Sequence, residues 1–168
     1  DEPQLDSRSH VKTQRLAGYR DAFSSHGLTF TDVASLIETE SSMDGGRDAA
    51  RTILDGEHPT AIVAMSDVIA LGVLDHAERV GIAVPDELSI VGFDDIPEAR
   101  LVRPSLTTIA QSGFDKGRRA AEVLVDLIAG ESPAGEHILP ATIVHRATTS
   151  HPVRRDTAPP TSGSNRPY

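Results

Sequence analysis

Two adjacent carboxylates, Asp94 and Asp95, close the largely apolar run Leu88–Phe93, with Ile96 and Pro97 directly behind them. Such a run is what a strand shows when helices cover both faces of a parallel sheet. Open α/β sheets take their ligands beyond the carboxyl ends of those strands. A carboxylate at that point accepts hydrogen bonds from the hydroxyl groups of a guest. Asp94 is the expected contact. Asp95 is expected to serve the turn, because aspartate readily bonds its own backbone there.

Other chemistries find less support. His10, His26, His58, His76, His137, His145 and His151 are scattered, with no pair at helical i, i+4 spacing and no cysteine beside them, so no metal site is expected. Gly45-Gly46-Arg47 lacks the lysine and the spacing of a phosphate loop. Ser66 has none of the glycines of a nucleophile elbow. Asp94 with Asp95 or Glu98 could serve acid–base catalysis, but a glycosidase needs two carboxyl groups facing one another across a cleft. Neighbours in sequence diverge instead. The chain is therefore not expected to be an enzyme, and no cofactor is expected.

The elements that would position Asp94 alternate between helix and strand. Val11–His26 carries Leu16, Tyr19 and Phe23 at helical spacing, with Gly27 to stop it. Val33–Ile37 is a short strand candidate. A helix is expected from Asp44 or Gly45 to Asp55, with Ala49, Ala50, Ile53 and Leu54 on one face. Thr60–Met65 reads as a central strand. Ser66 is placed to cap a helix Asp67–Val80, with Asp67 against its N-terminal dipole and Gly81 at its end. Leu88–Phe93 and Leu106–Ile109 read as strands, and Ser112–Ala129 as a long helix with the apolar stripe Val123, Leu124, Leu127 and Ile128. His137–His145 is a last strand, and its Pro140 predicts an edge position or an irregularity. The alternation implies βαβ units, hence an α/β fold with a parallel sheet flanked by helices. From His151 onward Pro, Ser, Thr, Arg and Gly dominate, and residues 150–168 are expected to form a disordered tail.

Composition limits the partners. The 168 residues suit one domain with a real core, and the net charge of −9 opposes direct nucleic-acid binding, which needs a basic face. The absence of cysteine is compatible with a reducing cytoplasm. No stretch approaches the length of a membrane span. The start Asp1-Glu2-Pro3-Gln4 is neither a signal peptide nor an ordinary N-terminus, so the chain reads as a fragment.

Several strings in order resemble the LacI/GalR-type transcriptional regulators: Arg15-Leu16-Ala17-Gly18-Tyr19, Ala64-Met65-Ser66-Asp67 with Ala70-Leu71-Gly72, Val84-Pro85-Asp86, Val91-Gly92-Phe93-Asp94-Asp95, and Leu106-Thr107-Thr108-Ile109-Ala110-Gln111. The likeness covers about Ser7 to Thr149. It implies the second lobe of a type I periplasmic-binding-protein-like bilobed sensor domain, with the DNA-binding helix-turn-helix and most of the first lobe absent from this chain. Residues 1–149 would then be a partial sensor domain: 1–109 and 137–149 in the second lobe, and the helix 112–130 on the first. That helix would leave its apolar stripe without its usual sheet, and a sheet edge would be open.

The resemblance also implies a site. Positions matching Arg15, Ser66 and Asp94 contact the effector, with Gln111 near the lobe junction. A guanidinium is a rigid fork of donors and a carboxylate a fork of acceptors, so Arg15 and Asp94 can clamp vicinal hydroxyls from complementary sides. Ser66 departs from the family, which usually has asparagine there, and it doubles as a helix cap. Ser41 stands where the family often has an aromatic that packs on the ligand, with Met43 two residues on as a further pocket candidate. Leu71, Leu74, Leu101 and Val102 fall in regions the family uses for dimerisation, although each could be ordinary core. The function implied is sensing of a small carbohydrate-like effector by a cytoplasmic homodimeric regulator. A periplasmic-type sugar-binding protein for uptake, or more remotely a carbohydrate-active enzyme, is the alternative.

Overall fold

The computed structural model of the chain describes residues 10–56, 59–132, 135 and 137–151. The expected tail lies outside the described residues from position 152 onward.

The sharpest element is also the best capped. Ser66 is extended (φ −154°) and its hydroxyl accepts from the Ile69 N–H, opening α4 (Asp67–Val80). Gly81 closes the helix in the left-handed conformation (φ +78°). The apolar face of α4, with Ala70, Leu71, Val73, Leu74 and Ala77, is buried against Leu88, Ile90 and Leu106. On its other side lies α3 (Met43–Gly56), which contributes Ala50 and Leu54 to the same core. Two glycines set that crossing: a Cβ on Gly72 would lie 2.2 Å from the Met43 carbonyl oxygen, and one on Gly46 would lie 2.3 Å from that of Ile69.

The sheet has the order β1 (Ala61–Val63), β2 (Ser89–Asp94), β3 (Thr107–Gln111), β4 (Ala141–Val144). The first three strands run parallel and β4 is antiparallel to β3. β1–α4–β2 is a βαβ unit, whereas β2 reaches β3 through a single 3₁₀ turn, Pro97–Arg100. Thr148 stitches the segment after β4 onto the sheet, accepting from the Thr107 N–H and donating to the Ile90 carbonyl. Two further long helices lie before β1 and between β3 and β4. α1 (His10–Ser25) is followed by Gly27 at φ +71°, and α5 (Gly113–Ile128) is capped by Ser112, whose hydroxyl accepts from the Asp115 N–H.

Four expectations need correction or completion. Residues 33–37 form no strand: Phe30–Val33 is a short helix, α2, with Phe30 edge-on to Phe23, and the residues after it find no ladder partner. Thr60–Met65 supplies β1, but at the sheet edge among the described residues, with Val63 53% exposed. Its apolar character reports the faces of the strand and not the number of its neighbours. Leu71 and Leu74 take the ordinary-core alternative within this chain, 7% and 6% exposed on α4. β4 breaks the all-parallel pattern; it is an edge strand among the described residues, and Pro140, which predicted an edge position or an irregularity, sits just before it.

The stripe on α5 is as bare as expected. No residue of α5 is buried, and Leu124, Leu127 and Ile128 are exposed. No helix among the described residues is long and apolar enough to cross a membrane.

The α3–α4 pair is pinned outside the core by Asp75, which accepts from Arg47 Nε (2.6 Å) and pairs with Arg79 Nε (2.8 Å). The Arg47 bond holds the Asp75 carboxyl below its ordinary 3.8, burial opposes it, and Arg79 adds to the lowering. A depressed native pKa contributes stability above the unfolded value and loses it as pH falls through the native value. Urea unfolding followed downward from about pH 5 should therefore show stability falling less steeply in Asp75→Asn than in the parent. In the same assay at neutral pH, Gly72→Ala should cost about 1–3 kcal/mol, because only backbone movement can admit the methyl group.

Candidate functional site

The backbone turns abruptly at the end of β2. Asp94 (φ +122°) and Asp95 (φ +57°) both occupy positive-φ conformations that favour glycine. Each such residue costs on the order of 1–3 kcal/mol unless its surroundings hold it. Three clamps do so. Gln111, the last residue of β3, donates from Nε2 to Asp94 Oδ1 at 2.5 Å. Arg146 donates from Nη2 to Asp95 Oδ1 at 2.5 Å and from Nη1 to the Leu106 carbonyl at 2.8 Å. Asp67, the first residue of α4, accepts the Ile96 N–H on Oδ2 at 2.9 Å.

Asp67 is fully buried, and its second oxygen accepts from Thr108 Oγ1 at 2.5 Å. It lies over Gly92, where an added Cβ would come within 2.2 Å of Asp67 Oδ1. A buried carboxylate needs such donors, because an unsatisfied one is costly. This one ties the start of α4, the middle of β3 and the turn after β2 into one unit.

Arg15 reaches the same end of the sheet from α1. Its Nη1 donates to the Met65 carbonyl beyond β1 at 2.5 Å, and its guanidinium carbon lies 3.5 Å from the centre of the Phe93 ring. A guanidinium over an aromatic face gains roughly 0.5–2 kcal/mol. Leu16, buried beside it in sequence, anchors this part of α1. One turn further, burial raises the Tyr19 phenol above its ordinary value while the charge of Arg15 opposes that rise. Ser41, before α3, places its hydroxyl 3.4 Å from that of Ser66.

Arg15, Ser41, Ser66, Asp94 and Gln111 are thus gathered at the carboxyl ends of β1, β2 and β3. Met43 is not. Its carbonyl faces Gly72 and its side chain is exposed. Of the dimer candidates, Leu101 is 72% exposed and Val102 leans on the core. Asp95 serves the turn through Arg146, as expected. Sequence reasoning did not find Asp67 as a strut, nor Thr108, Arg146, Phe93 or Lys116 as its company at the site. The only cue for Asp67 was its place after a capping serine. Among the described residues no cluster of His, Asp or Glu could hold a metal ion.

The arrangement is an open α/β sheet with donors and acceptors gathered beyond its parallel strand ends, the layout of a binding domain of the periplasmic-binding-protein kind. The sequence pattern of the periplasmic binding protein-like domain matches residues 5–149. The repressor CytR of Escherichia coli K12 is 36% identical over 137 residues, 80% of this chain and 40% of that protein. A solved LacI-type regulator from Bifidobacterium animalis aligns with TM-score 0.75 and 34% identity, covering 83% of this chain and 51% of that one. A LacI family regulator from Enterococcus faecium, solved with bound ribose, aligns with TM-score 0.76 and 31% identity over 81% of this chain and 50% of that one. The chain belongs to the periplasmic binding protein-like domain family, in the form found as the sensor of LacI-type transcriptional regulators. These relatives are regulators and not enzymes, and the chain spans about two fifths of the curated protein and half of the solved ones.

The weight of Asp67 can be separated from that of the neighbouring cap. In urea unfolding, Asp67→Ala should cost about 3 kcal/mol or more, since it strands the Thr108 hydroxyl and the Ile96 N–H. Ser66→Ala should cost about 0.5–2 kcal/mol. Equal losses would deny Asp67 its role as a strut.

Proposed function

We propose that this chain is the effector-sensing part of a LacI-type transcriptional regulator and takes a small hydroxyl-rich molecule beyond β1, β2 and β3. The carrying observation is the position of Arg15, whose guanidinium rests on Phe93, the residue immediately before Asp94. A vicinal diol both donates and accepts. Asp94 would accept from it, Arg15 would donate to it, and the Ser41 and Ser66 hydroxyls can do either. Gln111 would hold Asp94 and line the same side. The bound ribose in the E. faecium relative supports a pentose as the first guest to test.

In the whole protein, such a guest would favour one closure of two lobes and so bias the geometry of a DNA-binding head. Residues 1–109 and 137–149 would form the second lobe. The uncovered apolar stripe of α5 supports its assignment to the first lobe. DNA contact would belong to a helix-turn-helix outside this chain. The working form would be a cytoplasmic homodimer, with Leu101 the exposed interface candidate.

Calorimetric titration with D-ribose and a panel of related sugars tests the site. Arg15→Ala and Asp94→Ala should each weaken a binding sugar at least about tenfold, equivalent to about 1.4 kcal/mol. Arg51→Ala, an exposed α3 residue paired with Asp48, should leave binding unchanged. Retained affinity in the first two variants would place the guest elsewhere.

A further inference from the structure

We propose that Lys116, in the first turn of α5, is a positioning residue for the effector site: it holds the Gln111 side chain where its NH₂ reaches Asp94. This rests on the reading of Asp94 as a ligand contact. Lys116 Nζ donates to Gln111 Oε1, and Gln111 Nε2 donates to Asp94 Oδ1. The order admits one arrangement only. An ammonium can only donate, an ionised carboxylate can only accept, and a primary amide has one end of each kind. With Lys116 in place, the amide carbonyl is drawn toward α5 and the NH₂ toward β2. Without it, the amide carbonyl loses its donor on the α5 side, and the side chain is held at Asp94 by one end only.

The chain of contacts has a functional sense. Asp94 sits at φ +122°, so its carboxylate direction depends on its clamps more than on its own backbone preference. With Oδ1 held by Gln111, Oδ2 is left to accept from a guest hydroxyl, so the site would select a hydrogen-bond donor at that point. Lys116 itself is exposed. An exposed contact of this kind contributes little to global stability, so its effect should appear in binding and in the Gln111 amide, not in the unfolding midpoint. The first turn that carries it is fixed by the Ser112 cap on the Asp115 N–H, which keeps the lysine within reach of Gln111.

The experiment uses the full chain with Lys116→Met, Lys116→Arg and Lys116→Glu. It records the Gln111 side-chain amide resonances by ¹⁵N–¹H NMR without ligand, D-ribose affinity by calorimetry, and the thermal midpoint. Lys116→Met should shift or broaden the Gln111 amide pair and weaken ribose by about threefold to tenfold at an unchanged midpoint. Lys116→Arg should restore both readouts. Lys116→Glu should weaken ribose more than Lys116→Met, because a carboxylate at 116 demands the NH₂ end of the amide. An unchanged Gln111 amide in Lys116→Met, or unchanged ribose affinity in a parent that binds ribose, overturns the proposal. If the parent binds no ribose but the amide responds as described, the ribose reading fails and the positioning role stands.

Discussion

Everything at the carboxyl end of this sheet depends on holding two non-glycine residues where the backbone resists them. Asp94 and Asp95 turn the chain sharply at the end of β2; the φ +57° of Asp95 is one that aspartate tolerates better than most residues, whereas the +122° of Asp94 lies beyond that left-handed range. The turn persists because it is tied to three other elements: β3 through Gln111, the segment after β4 through Arg146, and α4 through Asp67. Asp67 is the deepest of these ties. Its burial is tolerable because Thr108 and the Ile96 N–H satisfy both oxygens, and Gly92 leaves the room it needs. Strain of this kind concentrates where a side chain must be aimed.

Local signals in the chain were read where the physics is local. The Ser66 and Gly81 caps delimit α4 at the expected residues, and Ser112 opens α5 as expected, because a cap is decided by a few neighbouring atoms. Pro140 announced the edge strand. The strand expected at 33–37 did not form, since extended propensity alone supplies no hydrogen-bonding partner. Leu71 and Leu74 are core because α4 is covered on both sides, by the sheet and by α3, which helical spacing alone does not reveal.

The candidate site divides in the same way. Asp94 was legible from the end of an apolar run, and Arg15, Ser66 and Gln111 from family likeness. Asp67 with Thr108 and Asp95 with Arg146 were not, because each pair joins residues 41 and 51 positions apart through the folded sheet. No spacing rule spans such distances. The stacking of Arg15 on Phe93 is likewise a product of α1 reaching over the sheet end. The apolar stripe of α5 was legible from helical spacing, but its exposure was expected only from the family likeness, which left that face without its usual sheet.

The most direct test of this account is urea unfolding of Asp94→Gly with and without D-ribose, alongside Asp94→Ala. Glycine relieves the positive φ that alanine keeps, while both lose the carboxylate. Asp94→Gly should therefore be more stable than Asp94→Ala by about 1 kcal/mol or more, and ribose should raise the midpoint of the parent alone. Alanine as stable as glycine at this position, or a glycine variant stabilised by ribose as fully as the parent, would contradict a strained turn kept to aim a carboxylate at its ligand.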